Sequence, residues 1–155
     1  MARLQYSADT QLTPERVIAV ATDFSEDRPR WWPAIDPGVY KVHSAGNGWA
    51  DVTEGSRTLG GIWAHERHEW EGTTVRARVQ ESNIFKGGIW QLTARPRPGG
   101  GSTVEILYDR RARGLKGHLI SAALKLSKGK QLLKGLKQTL EIAASEEPEA
   151  MKKAS

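Results

Sequence analysis

The chain has 155 residues, no cysteine, a formal net charge of +5, and 38% hydrophobic against 26% charged residues. That length and balance suit one folded domain with a sizeable core, and zero cysteines exclude disulfides, thiolate-bound metals and a cysteine nucleophile. No apolar run reaches the ~18 residues of a membrane-spanning helix. Met1–Tyr6 alternates instead of forming the apolar stretch of a secretory leader, so a cytoplasmic protein is expected.

In chain order, residues 2–8 alternate as a first strand should. Thr13 is placed to cap a helix with Pro14 at its first position, where the missing N–H costs nothing. Val17, Ile18, Ala21 and Phe24 follow at helical spacing, giving an amphipathic helix over 14–24. Ser25 is placed to cap a second, short helix that stops before Trp31-Trp32-Pro33, since proline disfavours helix in the residue before it. After Pro37 the period becomes two. Segments 38–45, 48–55, 60–70, 74–82, 88–96 and 102–112 read as strands, separated by glycine-rich turns such as Gly46-Asn47-Gly48, Glu71-Gly72 and Pro98-Gly99-Gly100-Gly101. Short connections favour an antiparallel meander. Over 115–144 helical spacing returns, with Leu119, Leu126, Leu133 and Leu140 as its stripe.

The expected fold is α+β: a curved antiparallel sheet of six to seven strands wrapped around a long C-terminal helix, with two short helices after strand 1. One domain over 1–146 and a flexible tail over 147–155 follow. A helix held by a curved sheet leaves room for a small-molecule site between them.

Several stretches carry a family likeness: Thr13-Pro14-Glu15-Arg16-Val17, Trp31-Trp32-Pro33, Trp49-Ala50-Asp51-Val52, Trp63 through Trp70, Val75–Val79, Glu81–Phe85, and Gly114–Gly117 before the final helix. With this element order, the chain resembles the START/Bet-v-type helix-grip (SRPBCC) superfamily and, within it, bacterial polyketide cyclase/dehydrase-like proteins. The resemblance covers residues 3–144 and implies the helix-grip fold. That superfamily includes lipid carriers, ligand receptors, quinone-binding chaperone-like proteins and aromatase/cyclases, so fold alone does not choose a function.

Facing follows from cross-strand pairing. A Gly46-Asn47 hairpin loop sets Val42 opposite Asp51, and the clean alternation of Val75, Ala77 and Val79 sets Arg67 near Ala77. Tyr40, Trp49, Asp51, Trp63, His65, Arg67, Trp90 and Tyr108 then point inward. The opposite face of 60–70, with Ile62, Ala64, Glu66, His68 and Trp70, has the larger apolar count, and one bulge would exchange the two.

On the first choice, Arg67 would hold an anionic or enolate oxygen, or else pair with Asp51 or Glu69. His65 beside Asp51 would be a general base, or a hydrogen-bonded residue at a cavity rim. Trp49, Trp63 and Trp90 would stack on a planar ligand, or pack the core. The resemblance supports an inward arginine and tyrosine, matched here by Arg67 and Tyr40. The leading expectation is a carrier or sensor of a hydrophobic, lipid- or polyketide-like molecule. Its rival is an aromatase/cyclase or dehydratase using Arg67, Tyr40 and His65.

No metal or cofactor is expected. His65 and His68 fall on opposite faces of a strand, and Gly99-Gly100-Gly101-Ser102 lacks a phosphate-loop lysine. Gly117, Gly129 and Gly135 would kink the last helix as a gate, or allow close packing. From Arg110 to Leu140 there are nine basic residues (Arg110, Arg111, Arg113, Lys116, Lys125, Lys128, Lys130, Lys134, Lys137) and no acid. This 110–137 stretch either meets an anionic membrane surface or is a solvated helix face. Nucleic acid is the least favoured partner, because aromatics do not interleave the basic residues.

Overall fold

The computed structural model describes residues 2–154, with side chains described over 3–147. Its elements run β1 (Ala2–Thr10), α1 (Pro14–Ala21), α2 (Arg28–Trp31), β2 (Lys41–Gly46), β3 (Trp49–Ser56), a 3-10 turn (Thr58–Gly60), β4 (Ile62–Glu71), β5 (Thr74–Ser82), β6 (Phe85–Pro96), β7 (Ser102–Ala112), α3 (Gly114–Leu126) and α4 (Lys130–Ala154). The strands make one seven-stranded antiparallel sheet in the order β1-β7-β6-β5-β4-β3-β2. Thr13 caps α1 as expected, its hydroxyl accepting from the Arg16 N–H at 3.2 Å. No helix among the described residues is long and apolar enough to cross a membrane.

The helices cover one face of the sheet. α1 packs on β5 and β6, α3 on β1 and β7, and α4 on β1 and α2. Val17, Val20 and Ala21 of α1 meet Val75, Leu92, Val104 and Ile106 of the sheet and Leu136, Leu140 and Ala143 of α4 in the main core. A second cluster forms around Ile84, Phe85 and Tyr108, with Ile120 and Leu124 of α3 against it. Burying each such valine or leucine contributes about 1.5–3 kcal/mol.

The helical segment expected over 115–144 is divided. Lys128 (φ 54°) and Gly129 (φ 73°) adopt left-handed backbone, and the Gly129 N–H closes on the Leu124 carbonyl at 2.9 Å, ending α3. α4 then continues to Ala154, through the stretch read from the sequence as a tail. Gly117 serves close packing: a Cβ there would lie 2.3 Å from the Ile84 carbonyl oxygen.

Two irregularities decide which residues face the helices. The β2–β3 hairpin closes on Asn47-Gly48 rather than Gly46-Asn47, and the register shifts between Val42 and Ser44. The β4–β5 turn is Gly72-Thr73, which sets Glu66 opposite Val79 and His68, not Arg67, opposite Ala77; beyond those pairs the register shifts at His65/Glu66. Ala50, Val52, Ala64, Glu66 and His68 are therefore the buried, inward set.

Candidate functional site

The inward expectation for Trp49, Asp51, Trp63, His65 and Arg67 is corrected by that register. All five alternate with buried residues and lie on the outer face, away from the helices. There Arg67 Nη1 meets Asp51 Oδ2 at 3.2 Å and the guanidinium sits 4.0 Å over the Trp49 ring, which is the ion-pair alternative. His65 lies 4.5 Å from the His43 ring, and the Trp63 backbone N–H donates to Asn83 Oδ1. Tyr40, Trp90 and Tyr108 are on the helix side. The Tyr40 hydroxyl donates to the Ser25 carbonyl at 3.1 Å, Trp90 stands edge-on to Trp32, and Tyr108 packs edge-on to Phe85.

A buried polar cluster occupies the inner face instead. Arg110 Nη2 donates to both Glu66 oxygens, at 2.9 and 2.7 Å. Arg28, only 3% exposed, pairs with Glu54 through Nε and donates through Nη1 to the Ala21 carbonyl at 2.9 Å. The Arg28 guanidinium lies 4.2 Å over the Phe24 ring. Between these pairs is His68, 3% exposed, whose ring meets Phe24 edge-on at 4.9 Å. Neither His68 ring nitrogen has a hydrogen-bond partner; Arg110 Nε, Trp32 Nε1, Ser121 Oγ and Thr139 Oγ1 are also buried without one. A further orphan, His65 Nε2, belongs to the outer face. Buried polar atoms are ordinarily satisfied, so His68, with both ring nitrogens unpartnered, marks the inner-face position open to another polar group.

Burial sets the protonation states. It pushes the His68 imidazole down to about 4, against the opposing charge of Glu54, so the ring is neutral at pH 7. Burial also drives the Glu66 carboxyl upward, with Arg110 opposing. For Glu54 burial acts upward too, but the charge and hydrogen bond of Arg28, with the charge of Arg110, hold the carboxyl below its ordinary range. Burial raises the hydroxyls of Tyr6 and Tyr40, each to about 12, and raises that of Tyr108. Two arginines face two carboxylates, so the cluster is close to charge-compensated. A neutral imidazole offers one N–H donor and one acceptor nitrogen.

Two of these residues, Glu66 and His68, belong to the alternative face of the fourth strand. Glu54 and Arg28 carry no sequence pattern of their own, and Arg110, part of the basic stretch expected at the surface, is instead turned inward onto Glu66; the three meet only through the tertiary fold. No group of three or more His, Asp or Glu side chains is placed to hold a metal among the described residues.

Residues 1–141 match the family model described as polyketide cyclase / dehydrase and lipid transport. The chain belongs to this family. No curated protein sequence matches it. Among solved structures it is similar to Zhui aromatase/cyclase from Streptomyces sp. R1128, at TM-score 0.79 and 13% identity, covering 93% of this chain and 94% of that one. It is also similar to a Thermus thermophilus protein, TTHA0849, at TM-score 0.77 and 15% identity, covering 94% and 99%. A START superfamily protein from Mycobacterium smegmatis aligns at TM-score 0.71 and 14% identity, covering 91% and 98%. At these identities the likeness establishes the helix-grip fold. The match to the polyketide cyclase/dehydrase and lipid transport family spans all seven strands, so the buried cluster lies wholly inside the family domain.

Proposed function

We propose that the protein binds a hydrophobic small molecule between the sheet and α3–α4, as a carrier or sensor, with the ligand's polar end at His68. The observation that carries this reading is a histidine 3% exposed with both ring nitrogens unpartnered, set beside two buried ion pairs that satisfy each other. Family membership supports the ligand class. Trp90, Tyr108 and Tyr40 line the same side, and apolar ligand surface buried against them would contribute about 2.5 kcal/mol per 100 Å². Because the charges of Glu54, Glu66, Arg28 and Arg110 compensate one another, the polar end is uncharged. A hydroxyl, which both donates and accepts, matches a neutral imidazole. The test is a titration followed by the protein's tryptophan fluorescence, using a long-chain alcohol and the carboxylic acid of the same chain length. Tighter binding of the alcohol, lost in His68→Leu, is expected. Equal or tighter binding of the acid would overturn the hydroxyl assignment, and binding of neither would overturn the site.

A second reading is a cyclase or dehydratase. Its support is that burial moves Glu66 up and His68 down on one face of β4, which is how acid and base roles are separated at neutral pH. Under this reading Glu66 and His68 replace Arg67 and His65 as proton carriers. Turnover of a poly-β-ketone analogue that vanishes in Glu66→Gln would select the enzyme.

A further inference from the structure

Among the described residues four large hydrophobic side chains are exposed: Leu59 (65%), Leu115 (78%), Leu119 (59%) and Leu126 (86%). Three of them are on α3, and Leu59 is on the segment that adjoins the start of that helix. Leu59 is on the 3-10 turn between β3 and β4, and Lys116 of α3 ties that segment down by donating from Nζ to the Gly61 carbonyl at 2.7 Å. Leu115, Leu119 and Leu126, with exposed Ala122 between them, recur at helical spacing as one stripe. At 1.5 Å per residue the stripe runs about 16 Å. It lies opposite the side of α3 that meets the protein, where Gly117 and Ser121 are buried and Ile120 and Leu124 pack on the Ile84–Phe85–Tyr108 cluster. A helix turned apolar on both faces is unusual at a protein surface.

The charge around this stripe selects its partner. By helical position Lys116 flanks one side and Lys125 the other; exposed Arg111 and Arg113 precede α3, exposed Lys128 follows it, and no acid occurs from Arg110 to Leu140. Leucines bordered by lysines and arginines, whose stems reach outward while their charges stay in water, are the chemistry of an interfacial helix on anionic lipid. We propose that α3, with the Leu59 turn, is a docking face for an anionic lipid surface. Nothing in this face depends on what the interior binds.

The test is co-sedimentation of the full chain with vesicles of phosphatidylcholine alone and with about a third phosphatidylglycerol added. Binding to the anionic vesicles only, weakened about tenfold or more by Leu115→Ser/Leu119→Ser/Leu126→Ser and separately by Lys125→Glu/Lys128→Glu, is expected. These positions are exposed, so an unchanged melting temperature confirms that the variants fold. Absence of binding, equal binding to both vesicles, or undiminished binding by the serine variant would overturn the proposal. So would a concentration-dependent dimer that the serine variant abolishes without any vesicle binding, which would assign the face to a second copy of the chain.

Discussion

Glu66 on β4 and Arg110 on β7, 44 residues apart, join through both carboxylate oxygens although two strands lie between theirs in the sheet. On a flat sheet three strand spacings amount to about 14 Å. The two long side chains bridge that span across the inner face of the sheet. Gly88, the partner of Arg110 on β6, carries no side chain in the way, and a Cβ there would lie 2.4 Å from the Asp109 carbonyl oxygen. Leaving either charge alone in this interior costs about 3–5 kcal/mol, whereas removing both is far milder. Denaturant unfolding is expected to show that loss in Glu66→Leu and in Arg110→Leu, with most of it recovered in the double variant.

His68 gives the protein an acid-sensitive stability. Its folded-state pKa of about 4 lies below the unfolded value of about 6.5, so its full contribution is present above pH 6.5 and is lost as pH falls towards 4. The slope is about 1.4 kcal/mol per pH unit, roughly 3 kcal/mol over the window. Melting temperatures across that range are expected to fall more steeply for the wild type than for His68→Leu. An imidazole NMR titration should find His68 neutral down to about pH 4.

Arg67 provides the contrast. Its pair with Asp51 is partly solvated on the outer face, with the Arg67 side chain 34% exposed. Such pairs contribute about 0–1 kcal/mol. Arg67→Ala is expected to lower stability by no more than that, and to leave ligand affinity within about twofold by fluorescence titration.

Gly117 holds α3 flush against the β5–β6 turn. In Gly117→Ala the new methyl would meet backbone, the Ile84 carbonyl oxygen at 2.3 Å, so the helix must shift. A cost of about 1–3 kcal/mol is expected, read as a lower denaturant midpoint. Faster amide exchange confined to α3 and residues 82–85 would locate it.

Element order, the α1 cap and the meander were legible because each rests on local chemistry: Thr13 before Pro14, glycines at turns, period-two apolar spacing. Facing was not. The one-residue shift at the β4–β5 turn pairs His68 rather than Arg67 with Ala77 and so reverses the facing of β4, while further shifts beside His43 and at His65/Glu66 move the pairing again. Those shifts leave no mark in composition, and Asp51, Arg67 and His65 looked as suitable for chemistry as Glu54, Glu66 and His68. The break at Lys128–Gly129 was readable in principle, since glycine beside a left-handed residue ends helices, but the leucine stripe runs through it.

Whether His68 marks the ligand site is decided most simply by native mass spectrometry of wild type, His68→Leu and Arg67→Ala after incubation with a lipid extract. A discrete ligand-sized adduct is expected on the wild type and on Arg67→Ala, absent or much reduced on His68→Leu. An adduct retained by His68→Leu and lost from Arg67→Ala would move the site to the outer face and refute the assignment.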